Sequence, residues 1–233
     1  MKNKQFDELI NAMAKCQKCL SLQKRNGQDC SLINIYQNQK FCKNIPSIWT
    51  DWYNRLDTKI MIIGQDWGPY NDMDKFHELY MEEPTKENWN QIMEKEKSLT
   101  KKMLTSFLKE SASYYGITID MHNVYITNAI MCARKGDTYR GDNIKLKESS
   151  LNCSNFLKRQ IEIVKPKIIL TLGYYPLLSL SKIFEFSIET SLTKTIEKYS
   201  VIKTGDYVII PLYHPTAQVK KEVQLEQYKK IWI

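Results

Sequence analysis

Apolar positions along the chain repeat with two periods. Phe6, Leu9, Ile10 and Met13 recur at helical spacing and predict a short amphipathic helix over residues 6–15. Residues 20–57 carry no period: Gly27, Pro46 and many Asn and Gln interrupt Trp49 and Trp52, so this stretch reads as a long segment wrapped on a core. Lys59–Gly64 is a compact apolar run ending at a glycine, the pattern of a buried strand. A polar loop over Gln65–Asp74 follows, then helical patterns over 75–81 and about 88–113, the second with Leu99, Met103, Phe107 and Leu108 as its inward stripe. Val124–Met131 and Lys167–Leu172 are two further apolar strands. Between them lie a basic loop over Ala133–Asn143 and a helix over 146–164 that Pro166 stops. A helix over 176–184 comes next, then strands over Tyr199–Lys203 and Tyr207–Leu212 flanking a Thr204-Gly205-Asp206 turn, and a last helix from about Thr216 to Tyr228.

This alternation predicts an α/β protein with three layers, α/β/α, around a mostly parallel four-stranded central sheet. One domain over residues 1–233 is expected, with residues 1–57 packed on the core. Ligands of such sheets bind outside the carboxyl ends of the strands. Those ends carry Gly64-Gln65-Asp66, Asn128, Gly173 and His214-Pro215, so a site is expected there.

The chain has 233 residues and a net charge of +8. A basic surface suits a polyanion, although a Lys-rich solvated surface gives the same count. The apolar runs are far short of the roughly 20 residues a membrane span needs, and the start has no export-type apolar stretch, so a cytoplasmic protein is expected. Reduced thiols are expected there, which argues against disulfides among the six cysteines. Cys16-Gln17-Lys18-Cys19 is a C-x-x-C pair of metal, cluster or redox type, and its place after a helix rather than between strand and helix weakens the redox reading.

Three residues at the strand ends carry candidate chemistry. Asp66, in Gly64-Gln65-Asp66-Trp67-Gly68, is a carboxylate beside main-chain N–H groups, able to take a proton or orient a water; Gly64 and Gly68 would let main chain approach a ligand. A plain polar turn is the alternative. Asn128 lies deep in an apolar strand, and its amide must meet partners on both sides, either neighbouring main chain or the edge of a pyrimidine. His214 follows a buried strand and precedes Pro215; it is either structural or a donor to an oxygen that gains charge.

Together these stretches resemble the uracil-DNA glycosylase superfamily. That family has a glycine-rich first motif after its first core strand, here Gly64–Gly68, and a His-Pro motif after its last, here His214-Pro215-Thr216-Ala217. Val124–Cys132 resembles its strand that ends in an Asn and is followed by a cysteine, and Pro166–Gly173 its P-K-x-I-x-x-L-G strand. The four matches come in the family's order and cover about residues 10–230. The C-x-x-C ahead of them points to the iron–sulfur branch, called family 4. Cys16, Cys19, Cys132 and Cys153 occupy the places of that branch's four ligands, which implies a [4Fe–4S] cluster; zinc on four cysteines is the chemical rival, and Cys30 and Cys42 are unassigned. Three features depart from the branch: Gln65-Asp66 resembles the cluster-free branch, 20 residues separate Cys132 from Cys153, and Thr216-Ala217 replaces the commoner serine.

The resemblance implies a monomeric DNA repair enzyme of prokaryotic or phage type that flips out uracil, or a related deaminated base, and hydrolyses its N-glycosidic bond. By that resemblance Asp66 orients water, His214 stabilises the leaving base, Asn128 reads its edge, and main chain at Gly64, Gln65 and Gly68 borders it. Tyr70 or Phe76 would stack on the base, and Pro215, Thr216, Ala217, Lys220 and Lys221 would grip DNA. Two other readings stay open: a non-catalytic nucleic-acid-binding protein that kept the fold, and a glycosylase for hypoxanthine or mismatched thymine.

Overall fold

A computed structural model describes residues 1–19, 24–25, 28–29, 31–37, 52–83, 85, 87–88, 91–92, 98–135 and 143–233. Cys30, Cys42, Pro46 and Trp49 lie outside the described residues. The central sheet is five-stranded, built from β4 (Ile60–Gly64), β5 (Val124–Asn128), β7 (Ile168–Leu172), β8 (Ile202–Thr204) and β9 (Tyr207–Leu212). Its order is β5-β4-β7-β9-β8; the first four are mutually parallel, as expected, and short β8 adds an antiparallel edge through the predicted hairpin.

Side chains alternate between the two faces of the strands, and each face takes its own helices. Met61, Ile63, Tyr125, Ile169 and Ile209 share one core with α1 (Lys2–Ala14), α5 (Ser154–Val164) and α6 (Tyr174–Phe184). Ile62, Val124, Leu170, Leu172, Ile210 and Leu212 share the other with Leu104, Phe107 and Leu108 of α3 (Leu99–Tyr114) and Tyr228 of α8 (Lys221–Lys229). This is the three-layer α/β/α arrangement.

Several boundaries differ from the sequence expectation. α2 runs over Tyr70–Glu82, so much of the expected polar loop is helix, opened by Pro69 at its N-cap. The helix expected over 146–164 is two, α4 (Asn143–Asn152) and α5, which meet at Cys153. Leu99, expected inside, is 59% exposed because it opens α3 rather than lying within it. A further helix, α7 (Leu192–Lys198), is started by Ser191, whose side chain accepts from the Lys194 N–H.

Edge strand β5 is covered rather than open. Trp52 Nε1 donates to the Ile126 carbonyl at 2.8 Å, and Arg55 Nη1 to the Val124 carbonyl at 3.0 Å. The segment before β4 therefore occupies carbonyls that a foreign strand would use. Two small ladders lie outside the sheet. β1 (Lys24–Arg25) pairs with β2 (Gln28–Asp29), and β3 (Leu32–Ile33) pairs antiparallel with β6 (Ala133–Arg134).

Candidate active site

From β4 the chain crosses to β5 on one side, and from β5 it crosses to β7 on the other, so the strand order reverses beside β4. The crevice at such a reversal is where open α/β sheets bind ligands. Gly64 and Asn128 are register partners at this edge. A Cβ on residue 64 would lie 2.3 Å from Asn128 Oδ1. Glycine is thus needed at 64 to make room for the Asn128 side chain, a reason different from the ligand approach read from sequence. Asn128 is 7% exposed, and among the described residues its side-chain amide makes no hydrogen bond. A nearly buried amide without partners is a costly feature unless something else meets it.

The loop after β4 lies along the segment after β5. Ala129 N–H donates to the Gly64 carbonyl at 2.8 Å, Ile130 N–H to Gln65 at 2.9 Å and Arg134 N–H to Gly68 at 3.0 Å. Trp67 Nε1 adds a bond to the Met131 carbonyl at 2.9 Å. Gly68 has φ of +83°, the left-handed region that glycine tolerates, and its N–H donates to Asp66 Oδ1 at 2.8 Å. Asp66 Oδ1 also meets Arg134 Nη2 at 3.2 Å, and Oδ2 accepts from Gln65 Nε2 at 2.8 Å. Both side chains of the Arg134–Asp66 pair are 4% exposed.

His214 stands two residues beyond β9. Its Nδ1 lies 2.9 Å from Thr216 Oγ1 and 3.4 Å from the Thr216 N–H. A main-chain N–H can only donate, so Nδ1 is the acceptor and the proton sits on Nε2. Burial lowers the His214 pKa from 6.5, and the nearby Asp66 charge offsets part of that. The imidazole is therefore neutral at neutral pH and offers an Nε2–H donor.

Residues 214–220 form a braced turn rather than the expected helix start. Ala217 N–H donates to the His214 carbonyl at 2.8 Å, and Gln224 Nε2 reaches the Ala217 and Val219 carbonyls at 3.4 and 3.2 Å. Pro215 is buried and Ala217 half-buried, whereas Thr216, Lys220 and Lys221 are exposed. Lys221 is paired with Glu110 at 2.7 Å. Tyr70 opens α2 and packs half-buried against the core, while Phe76, further along the same helix, is 7% exposed with its ring 5.0 Å from that of His77.

The family model of the uracil DNA glycosylase superfamily matches residues 50–233, most of the chain. The chain belongs to that superfamily. Among curated relatives it is 32% identical over 139 residues to the type-4 uracil-DNA glycosylase of Sulfurisphaera tokodaii, covering 56% of this chain and 57% of that protein. It is 30% identical over 138 residues to the protein of that name from Saccharolobus solfataricus, covering 56% of this chain and 58% of the relative. For the one from Archaeoglobus fulgidus the match is 26% over 129 residues, 55% of this chain and 59% of the relative. The chain thus spans somewhat over half the length of these relatives. This agrees with the resemblance to the superfamily and to its family 4 branch. No described helix is long and apolar enough to cross a membrane.

In this superfamily member Cys16, Cys19, Cys132 and Cys153 are all free thiols, the last three buried. They are near enough to sense one another. Burial pushes the Cys132 thiol far up, and Cys153, Cys19 and Cys16 add to it. Burial likewise pushes Cys153 up to about 12, with Cys19 and Cys16 contributing. Leu32, Ile130 and Leu146 pack with Cys19 and Cys132, and Asn152 Nδ2 donates to Cys19 Sγ at 3.4 Å. Among the described residues no three His, Cys, Asp or Glu side chains are gathered closely enough to hold a single metal ion. An all-sulfur donor set on separate elements, with three of its four thiols buried, has the chemistry of a thiolate-bound metal or iron–sulfur cluster.

Arg134 is the residue the sequence reading missed. A signal was present: of 34 basic residues only five are arginine, at 25, 55, 134, 140 and 159. Where Lys dominates so heavily, an Arg marks a place where a planar, always-charged group is required. Both Arg55 and Arg134 are 4% exposed.

Proposed function

We propose that this chain is a DNA glycosylase that flips a uracil, or a closely related deaminated base, out of DNA and hydrolyses its N-glycosidic bond. The observation that carries this reading is the Asn128 amide: nearly buried, without a hydrogen bond among the described residues, and in register with Gly64 at the sheet's carboxyl edge. An amide held this way can accept from the N3–H of a pyrimidine and donate to its O4. The type-4 relatives support the same substrate.

Extruding the base costs a few kcal/mol, least for a mispaired one. As the bond breaks, negative charge gathers on the base. The neutral His214 Nε2–H donates to it, an aimed donor of a kind worth about 3–4 kcal/mol. Main-chain groups over 64–68 border the base, and Tyr70 or Phe76 stacks on it. Asp66 Oδ2 accepts only from Gln65 among the described residues and so retains a lone pair for a water. Thr216, Ala217, Lys220 and Lys221 meet the DNA backbone, with Pro215 fixing the turn. Cys16, Cys19, Cys132 and Cys153 would hold a [4Fe–4S] cluster. Such a group, when bound, supplies a covalent staple between the N-terminal segment and the core.

Release of free base from oligonucleotides with uracil, hypoxanthine or a G·T mismatch tests the reading. Uracil is expected to leave fastest. DNA binding without release of any base would show a non-catalytic binder instead.

A further inference from the structure

We propose that Arg134 is a positioning residue of this site: its guanidinium fixes the Asp66 carboxylate and its main-chain N–H fixes the Gly68 carbonyl, so one residue of β6 sets the shape and charge balance of the whole 64–68 loop. The inference rests on the glycosylase reading for its catalytic consequence, but its geometry stands without it.

Arg134 Nη2 meets Asp66 Oδ1 at 3.2 Å, and both side chains are 4% exposed. Two buried charges of opposite sign persist only when each is matched by the other and by further hydrogen bonds. Asp66 has such bonds from the Gly68 N–H and Gln65 Nε2, both at 2.8 Å. Arg134 in turn is fixed by its ladder with Leu32 and by its N–H bond to Gly68 at 3.0 Å. The carboxylate therefore cannot rotate without breaking three bonds, and the main chain of 65–68 is held with it.

The pair also sets the field at His214. Asp66, from the loop after β4, is the charge that acts on the imidazole; Thr216, from its own turn, contributes a neutral hydroxyl and N–H; and Arg134, from β6, stands behind Asp66. The Arg134 charge behind Asp66 weakens, without cancelling, the field that Asp66 exerts on His214. Without Arg134, the bare Asp66 charge would favour imidazolium, and imidazolium needs a proton on the nitrogen that now accepts from Thr216.

The test compares Arg134→Gln, Arg134→Lys and the double variant Arg134→Gln/Asp66→Asn with the parent. His214 titration is followed by ring NMR, assigned with His214→Gln; this readout needs no substrate, so a failure of the glycosylase reading leaves it intact. Arg134→Gln should raise the His214 pKa. Arg134→Lys, which restores the charge, should return it toward the parent value, and the double variant, which also removes the Asp66 charge, should bring it well below that of Arg134→Gln. On uracil-containing DNA, Arg134→Gln should slow single-turnover release about 100-fold, the usual consequence of a displacement near 1 Å, with DNA affinity changed less than about threefold. An unchanged His214 titration in Arg134→Gln would overturn the proposal. If Arg134→Gln alone does not fold, the double variant decides: failure of that neutral pair to fold as well would show that Arg134 serves packing rather than charge balance.

Discussion

Replacing Gly64 by alanine isolates its contact with Asn128, the residue proposed to read the base. The new Cβ would lie 2.3 Å from Asn128 Oδ1, well inside the 3.4 Å at which ordinary contact begins. Something must move, and the atom in the way is the end of a side chain rather than main chain. Rotation of the Asn128 amide therefore relieves most of the overlap, and the loss of stability should stay at or below the 1–3 kcal/mol typical of overpacking, roughly 2–4 °C of Tm per kcal/mol at this chain length. On the proposed function, activity suffers more, because the displaced atom belongs to the amide proposed to read the base. A displacement near 1 Å is worth about 100-fold in rate. Single-turnover uracil release and thermal unfolding are the assays. Gly64→Ala should lose about 100-fold in release while folding nearly as well as the parent. In an Asn128→Ala background the same substitution should be almost silent, because the obstructing oxygen is gone. Full activity in Gly64→Ala, or equal losses in both backgrounds, would refute the close-approach argument.

Other expectations follow from the same geometry. His214 has its pKa lowered below 6.5 by burial, so release should be constant through neutral pH and fall only below about 6.5, as protonation of Nδ1 sets it against the Thr216 N–H. Stability has the same sign: on acidification the unfolded histidine takes its proton first, so the native state weakens as pH drops through 6.5 and levels off below the folded pKa, a component that His214→Gln removes. DNA affinity should fall steeply with salt, and Lys220→Ala should reduce the log–log slope by about 1. Lys221→Ala should do less because Glu110 holds Lys221 at 2.7 Å, whereas Glu110→Gln should tighten binding by releasing it. Anaerobically purified protein should be brown and contain iron and sulfide; Cys16→Ser and Cys132→Ser should lose the colour while Cys30→Ser and Cys42→Ser keep it, and a colourless protein with stoichiometric zinc would refute the cluster.

The strand cores were legible because burial on both faces forces near-continuous apolar runs: Ile60–Ile63, Ile168–Leu172 and Val208–Leu212 fall where the pattern placed them. Their ends were less legible wherever tertiary bonds decide them. β5 stops at Asn128, not Met131, because its partner β4 ends at Gly64; the N–H groups of Ala129 and Ile130 then follow β4 into its loop, bonding the Gly64 and Gln65 carbonyls. Nothing in the local sequence announces where the partner strand ends. The last helix starts at Lys221 because Gln224 braces the turn before it, another long-range arrangement within an otherwise helical composition. At the site, Asn128, Asp66 and His214 were readable as polar residues at strand ends, since that position is fixed by topology. The partner of Asp66 was not, because Arg134 lies 68 residues away in a two-residue strand with no pattern of its own.

That short strand links the cysteine-bearing segment to the 64–68 loop. Asn34 Nδ2 donates to the Met13 and Cys16 carbonyls, each at 2.8 Å, and so ties the end of α1 to the residue after β3. β3 pairs with β6, and Lys135 N–H adds a bond to the Ser31 carbonyl at 2.8 Å. Cys132 immediately precedes β6, and Arg134 within β6 meets both Asp66 and Gly68. A two-residue ladder has almost no stability of its own, so its ends must be held by other means. One end is held by the buried Arg134–Asp66 pair, and the other by whatever fixes Cys16, Cys19 and Cys132. A group bound by those thiols would therefore reach catalysis through strand position, not through chemistry at the base. Its removal should loosen β6 first and the 64–68 loop second, together with the core that Ala133 and Cys153 share, while the opposite core, built on α3 and α8, stays folded.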